Sequence, residues 1–416
     1  MKVLFLLAYY YPETAASIYL FENLIDSLVN DGVQVELVVP IPGRGVDCQI
    51  NKEYKKRRNE YEKGGLFHIH RFNMYMEPKG TIARFVRYFY CCIKYLYYGI
   101  KYKDVDVIFS ESTPPILGAT AVLIKKFIKK PLVYNLQDIF PDSLVLTGVG
   151  KKDGLAWKIG RKVENFTYRN SDKIITISKD FRNNILAKGV PSKKINIVYN
   201  WVDQNVVINI QREQNVLFDR YKLDRTKFYV TYNGNIGLSQ NMDMMLDVAM
   251  DFQTEYPDIN FVLVGNGAYL DEVRRMVAEN KLKNVILLPF QPYEEISYVF
   301  SLGDASLVIS KPGTGNGCVP SKTWSIMSAA RPVLANFDEN ELKDIIINNN
   351  CGIFTKAGDK EAFKQSILTL YNNRDMAVEM GRNGRQFVME NLTREVGTQK
   401  YVDVIKSVAL SSKHSI

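Results

Sequence analysis

The sequence predicts two doubly wound α/β domains in tandem, each a mostly parallel sheet with helices on both faces. Three observations carry this. Short apolar strands alternate with stretches of helical spacing, which is the pattern of a sheet buried on both sides. The alternation runs from residue 1 to about 200, breaks, and starts again. The length of 416 residues suits two domains of ordinary size.

The first series has strands at Val3–Ala8, Val33–Val39, Leu66–Phe72, Val105–Ser110, Leu132–Leu136, Lys173–Ile177 and Ile195–Tyr199. Ile18, Phe21, Leu24, Ile25 and Leu28 follow helical spacing, and Asp31-Gly32 ends that helix. The apolar start, Met1 to Tyr11, imitates a signal peptide, and Thr14-Ala15-Ala16-Ser17 imitates a cleavage site. Pro12-Glu13, the helix and a second strand follow at once, so the start reads as the first strand of a βαβ unit. No apolar run reaches the ~18 residues of a spanning helix.

Residues 201–222 are polar and aperiodic around Gln211–Gln214 and read as a linker. A second series follows at Phe228–Tyr232, Phe261–Val264, Val285–Leu288, Ala305–Ile309, Val333–Ala335 and Gly352–Phe354. From about Asp359 the pattern is helical. The expected organisation is a first domain over 1–200, a linker over 201–222, a second domain over 223–390, and a helix over 391–416 that crosses back toward the first domain. Doubly wound sheets bind ligands at the carboxyl ends of their strands, so facing ends would make the interdomain cleft the site.

Composition removes several function classes. Cysteines 48, 91, 92, 318 and 351 form no C-x-x-C, and the histidines are only His68, His70 and His414. A disulfide scaffold and a His/Cys metal site are both disfavoured, and a reducing compartment fits best. No metal or organic cofactor is expected. Asp104-Val105-Asp106 imitates a metal-binding D-x-D but reads as the boundary of a buried strand. No G-x-G-x-x-G follows the first strand, which argues against a dinucleotide oxidoreductase.

The charge is lopsided. Residues 1–200 hold 31 Lys/Arg against 19 Asp/Glu, net +12, and residues 201–416 hold 23 against 26, net −3. From Pro78 to Lys103 there are six basic residues, no acidic ones and eight aromatics. On a helix Arg84, Arg87, Lys94 and Lys101 share one stripe, and Phe85, Phe89, Cys92 and Leu96 share another, as in an interfacial amphipathic helix. Lys125-Lys126-Phe127-Ile128-Lys129-Lys130 adds charge nearby. An anionic membrane surface is the expected partner of the first half, in preference to nucleic acid.

Three loops of the second domain carry the ligand signal. Asn233-Gly234-Asn235-Ile236-Gly237 and Gly265-Asn266-Gly267 each follow a strand and precede a helix, where glycine admits a ligand and free N–H groups face phosphate. Gly313-Thr314-Gly315-Asn316-Gly317-Cys318 leads into Val319-Pro320-Ser321-Lys322, with Pro320 expected as the first helical residue. A lysine in a first helical turn opposes the helix dipole, which makes sense if an anion docks beside it. The candidate substrate-binding set is Asn233, Gly234, Asn235, Gln240, Gly265, Asn266, Phe290, Pro320, Ser321 and Lys322. Asp138 and Glu13 are the candidate catalytic carboxylates; each either reaches the cleft or serves as a cap or turn residue.

These motifs resemble glycosyltransferase family four, of the GT-B fold, and most its bacterial capsule and O-antigen branch resembling N-acetyl-fucosamine transferases. The likeness runs nearly end to end. It includes Tyr11-Pro12-Glu13, Asp138-Ile139-Phe140-Pro141-Asp142-Ser143, Ser171-Asp172-Lys173-Ile174, Asn200-Trp201-Val202-Asp203, Asn233-Gly234-Asn235, Val264-Gly265-Asn266-Gly267, Val319-Pro320-Ser321-Lys322 and Ala329-Ala330-Arg331-Pro332-Val333. The resemblance implies a retaining transferase that moves a sugar from a UDP-sugar donor to a lipid-linked (polyprenyl diphosphate) acceptor, on the cytoplasmic face of the cell membrane.

The chain also departs from the family. Gly317 and Ser325 stand where two glutamates are usual, Asn235 and Gln240 where Arg and Lys are usual, and Ala15 and Ala16 where the first-domain loop has glycines. The diphosphate then needs another cation, and Lys322 is the residue available. The missing glutamates keep open an inactive nucleotide-sugar-binding partner, and the fold keeps open a nucleotide-sugar epimerase.

Overall fold

The computed structural model describes all residues except 14–16, 79, 147–150, 316, 318 and 414–416. Thr14, Ala15, Ala16, Asn316, Cys318 and His414, singled out above, lie outside the described residues. The chain forms two compact units, one of Met1–Tyr199 with Gly397–Ile416, the other of Asn200–Val396.

The first unit holds strands β1 (Lys2–Leu6), β2 (Gln34–Pro40), β3 (Asn59–Glu62), β4 (Phe67–Phe72), β5 (Val107–Glu111), β6 (Leu132–Leu136), β7 (Lys173–Thr176) and β8 (Ile195–Ile197). They lie in the order β3-β4-β2-β1-β5-β6-β7-β8. All neighbours are parallel except β3, which runs antiparallel to β4. The central strands are fully buried, as their continuous apolar runs require. Strand β3 was not expected: its sequence Asn-Glu-Tyr-Glu is polar because it is a solvated edge. Within this unit the final helix (Arg394–Lys413) is anchored by Tyr401, whose hydroxyl donates to Asn135 Oδ1 at 2.9 Å, and by Lys406, which pairs with Asp31 at 2.7 Å.

The second unit holds β9 (Phe228–Asn233), β10 (Ile259–Val264), β11 (Val285–Leu288), β12 (Ala305–Ile309), β13 (Val333–Phe337) and β14 (Gly352–Lys356). Their order is β11-β10-β9-β12-β13-β14, all parallel. Residues 201–222 are not a free linker but part of this unit's packing. Trp201, Val207, Leu217 and Phe218 are buried, and Ser297 and Ser301 hydroxyls accept the N–H groups of Ile208 and Ile210 at 3.0 and 2.9 Å. Its buried apolar residues are too irregularly spaced for a period to register.

In each sheet the chain changes direction once, between β1 and β5 and between β9 and β12. Each switch point marks the carboxyl ends of its own sheet, where such folds hold ligands.

The helix Thr81–Gly99 forms as expected, but its faces differ from the sequence reading. Arg87 is 1% exposed, and its Nε donates to the Tyr75 carbonyl at 3.2 Å. Cys92 is buried as well. The outward face is instead apolar, with Phe85, Val86, Phe89, Tyr90, Ile93 and Tyr97 exposed. A guanidinium that finds a backbone acceptor can be buried, and helical spacing alone does not reveal the acceptor.

Candidate functional site

The second unit's switch point is built from polar groups left without partners. Asn233 ends β9, is 5% exposed, and has no hydrogen-bond partner at either Nδ2 or Oδ1 among the described residues. Ser310, directly after β12, has a buried Oγ without a partner, as does Thr323 at Oγ1. Such groups normally cost free energy unless something satisfies them, so three in one region suit a polar ligand.

Lys322 completes the region. Its ammonium lies 3.8 Å from the centre of the Tyr232 ring. It has no carboxylate partner among the described residues, and burial pushes its pKa down to about 7. The cation–π contact offsets only part of that cost. A Cβ placed on Gly234 would lie 3.6 Å from this nitrogen, so the loop after β9 and the lysine are direct neighbours. Ser239, Gln240, Ser310, Thr314, Pro320 and Lys322 line a pocket of about 90 Å³, room for a phosphate group rather than a whole nucleotide sugar.

The helix begins two residues later than expected, at Lys322, with Ser321 as N-cap and Pro320 before it. Ser321 makes no side-chain cap bond, and Pro320 and Lys322 both still line the pocket.

The glycines also have a packing role. A Cβ on Gly265 would sit 1.9 Å from the Gly234 carbonyl oxygen, and one on Gly267 would sit 2.2 Å from that of Ile236. These two glycines let the loops after β9 and β10 pack on each other. Gly234 N–H donates to Val264 O at 2.9 Å, and Ile236 N–H to Asn266 O at 2.8 Å. Gly234 itself has φ 124°, a value that favours glycine.

Gln240 Oε1 accepts Gly237 N–H at 2.9 Å and so closes the loop, while the residue still lines the Lys322 pocket. Asn266 Oδ1 accepts its neighbour's N–H, from Gly267, at 2.8 Å. Asn235 and Asn266 are exposed. Phe290 is 74% exposed beyond β11, and is not brought to the Lys322 pocket. Sequence reasoning missed Asp338. Its carboxylate accepts the N–H groups of Gly313 and Gly315 at 2.9 and 2.8 Å and so fixes the glycine loop.

In the first unit Glu13 is buried, and its carboxylate accepts three backbone N–H groups: Gly43 at 2.8 Å, Arg44 at 2.9 Å and Tyr10 at 3.3 Å. It neither caps the first helix, whose N-cap is Ser17, nor stands free as an acid. It ties the loop after β2 to the loop after β1, which is a positioning role. Beside it Glu111, at the end of β5, is pushed up to about 8 by burial and by the Glu13 charge. Its Oε1 accepts Ala8 N–H at 2.6 Å. A carboxyl at the end of an apolar strand was the signal for it in Ser110-Glu111-Ser112.

Asp138 follows β6. Its N–H and that of Gln137 donate to Ser112 Oγ at 3.2 and 2.9 Å, which brings this loop to the switch-point strand. Its carboxylate accepts the Ser143 hydroxyl at 3.0 Å. The side chain is exposed by area, yet surrounding protein atoms raise its pKa from the usual carboxylate value, opposed by Ser143 and the Ile139 backbone. Asp138 is thus an accessible carboxylate beyond β6, unlike Glu13.

The remaining candidates are occupied. Asp104 and Asp106 sit at the opposite end of the sheet, where Lys2 donates to them through Nζ and its backbone N–H, both at 2.8 Å. His68 bonds Glu36 at 2.6 Å and stacks on Tyr61; His70 bonds Asn59 at 2.8 Å.

Comparison with known proteins supplies the frame for this geometry. Residues 20–206 match Glycosyltransferase Family 4, and residues 213–387 match Glycosyl transferases group 1. WbjE of Pseudomonas aeruginosa, named a probable glycosyltransferase, is 24% identical over 309 residues, which is 74% of this chain and 76% of that protein. The crystal structure of Anabaena HepE in complex with UDP and glucose superposes with TM-score 0.70 at 16% identity, over 98% of this chain and 100% of that one. WaaG, a glycosyltransferase involved in lipopolysaccharide biosynthesis, superposes with TM-score 0.68 at 13% identity, over 97% of this chain and 99% of that one.

Proposed function

We propose that this chain, a family-four glycosyltransferase of the GT-B fold, transfers an N-acetylated sugar from a UDP-sugar to a lipid-linked diphosphate acceptor in surface-polysaccharide synthesis. The observation that carries this reading is Lys322: a half-buried ammonium with no carboxylate partner among the described residues, beside Gly234 and in one pocket with Ser310 at a switch point. A diphosphate there supplies the missing charge partner and acceptor oxygens together. HepE, on the same fold, binds UDP.

In the proposed reaction the acceptor oxygen bonds the anomeric carbon as the bond to UDP breaks. Retention follows if attack comes from the leaving group's side, with the departing phosphate taking the acceptor proton. The protein's task is then to hold the diphosphate and stabilise the charge that grows on it, which Lys322 does. Asp138 is the accessible first-domain carboxylate that orients the acceptor. Incubation with radiolabelled UDP-sugars and a polyprenyl-diphosphate lipid extract tests the reading. Label should move to the lipid, and Asp138→Asn should lower turnover with UDP affinity kept. With a lysine in the role a cation holds elsewhere, transfer should persist in EDTA. No transfer with any UDP-sugar, or loss in EDTA reversed by manganese, counts against it.

The acceptor's lipid implies a membrane surface. No helix among the described residues is long and apolar enough to cross a membrane. The helix Thr81–Gly99 nevertheless exposes Phe85, Phe89, Ile93 and Tyr97. Phe127 on the helix packed beside it, and Ile159 on the next, continue the exposed apolar residues. Lys94 and Lys101 lie against the rings of Tyr90 and Tyr97, at 5.3 and 4.0 Å from their centres. Aromatic rings flanked by cations suit an anionic interface. Arg84, Lys94 and Lys101 changed to Gln should release much of the protein from phosphatidylglycerol vesicles, at about 1 kcal/mol per charge. Arg87 is left intact because it is buried. Equal sedimentation with neutral and anionic vesicles would refute the assignment.

A further inference from the structure

The second unit carries another cavity, which the transfer reaction does not use. Asp304 precedes β12, and Arg331 and Pro332 precede β13, so the cavity opens at the strand amino ends, the opposite end of the sheet from Asn233 and Ser310. Its volume is about 380 Å³, within the range of small-molecule sites.

Backbone packing creates it. The helix Arg374–Asn391 lies against the turn at Ala330 because residue 381 is glycine: a Cβ there would sit 2.1 Å from the Ala330 carbonyl oxygen. Arg374, Val378 and Arg382, spaced four apart, then line one wall.

The lining has more positive charge than the protein neutralises. Asp304 is its one carboxylate, and it is already engaged. It accepts Arg212 Nη2 at 2.6 Å and Tyr229 N–H at 2.8 Å, and pairs with Arg374 at 3.2 Å. Arg331 donates through Nη2 only to neutral acceptors: Asn209 Oδ1 at 3.2 Å, and the Ile210 and Ser301 carbonyls at 3.1 Å each. Its Nε is buried with no partner among the described residues. Arg382 is exposed and has no hydrogen bond or ion pair among the described residues.

Three guanidinium groups thus surround a cavity whose single carboxylate is shared with a fourth arginine, Arg212. Guanidinium forks match phosphate oxygens in pairs, and clustered cations favour an anion with more than one charge. The Asn209 and Gln211 amides add hydrogen-bonding groups, and Val378 and Pro332 add an apolar patch for a small organic body.

We propose that this cavity is a second ligand site, separate from the donor site, that binds a small soluble phosphorylated molecule through Arg331, Arg374 and Arg382.

The test is calorimetric titration of inorganic pyrophosphate into the full chain held in saturating UDP. One pyrophosphate per chain should bind. Arg382→Gln should weaken it by about tenfold, the effect of one lost charge-assisted contact. Arg374→Gln with Arg382→Gln should remove measurable binding. Lys322→Ala, titrated without UDP, should still bind pyrophosphate here even if the donor reading fails. Absence of binding to the wild type in UDP, or equal affinity in Arg382→Gln and the double variant, overturns the proposal. Phosphatidylglycerol vesicles separate a soluble phosphate from a lipid headgroup. The double variant should sediment with them like the wild type, and loss of sedimentation with pyrophosphate binding unchanged would overturn the soluble assignment.

Discussion

Lys322→Ala is expected to lower both UDP affinity and transfer rate by roughly a hundredfold while leaving the protein folded. The size follows from burial. In water an ammonium adds little to phosphate binding, but this one is desolvated, faces the Tyr232 ring and has no carboxylate partner among the described residues. Lys322→Arg should recover only part, because a planar fork replaces a compact charge.

The pKa of about 7 adds a pH signature. Below it the lysine is already charged and diphosphate affinity is greatest; above it, binding must draw a proton from solvent, so affinity falls as pH rises. Stability runs the other way. The unfolded lysine keeps its proton to about 10.5, so the penalty for burying it is fully present below 7 and fades as pH approaches 10.5. Lys322→Met should therefore raise the melting temperature at neutral pH while destroying UDP binding. Calorimetry with UDP from pH 6 to 9, beside thermal melts of the three variants, measures both. Matched UDP affinities, or a Met variant less stable than wild type, would return Lys322 to the role of an ordinary structural lysine.

The sheets were legible in the sequence because parallel strands are written as short continuous apolar runs, such as Val3–Leu6 and Phe261–Val264, alternating with helical spacing. The order of motifs singled out Lys322 and the Asn233-Gly234 turn, and the fold makes Lys322 and Gly234 neighbours. What was not legible depended on partners distant in the chain. Glu13 looked like an acid near a cleft until the N–H groups of Gly43 and Arg44 were seen on its carboxylate. Arg87 looked like part of a solvated stripe, although the Tyr75 carbonyl buries it. Asp338 carried no motif at all, yet it shapes the glycine loop from 23 residues away in sequence at Gly315. Residues 201–222 looked like a linker because periodicity registers repeated burial, whereas the buried Trp201, Val207, Leu217 and Phe218 follow no regular spacing.

Glycine 265 offers the largest expected loss of stability from a single methyl group. A Cβ there would stand 1.9 Å from the Gly234 oxygen, which is backbone and cannot rotate aside. The loop after β9 has to move away. That movement breaks its hydrogen bonds to the next loop: Gly234 N–H to Val264 O, Ile236 N–H to Asn266 O, and Tyr269 N–H to Ile236 O at 3.0 Å. Overpacking together with lost buried bonds should cost about 3 kcal/mol or more. For a unit of this size that lowers the melting temperature by roughly 10 °C. UDP affinity should fall as well, because Gly234 flanks the Lys322 ammonium. Gly313→Ala is the contrast. Gly313 has φ 81° but nothing within 4 Å of its Cβ position, so only the left-handed backbone cost of about 1 kcal/mol applies. Thermal melts of the two variants decide between contact and conformation as the reason for glycine. Equal losses, or a Gly265→Ala protein as stable as wild type, would mean that the two loops do not pack as described, and that the geometry around Lys322 must be redrawn.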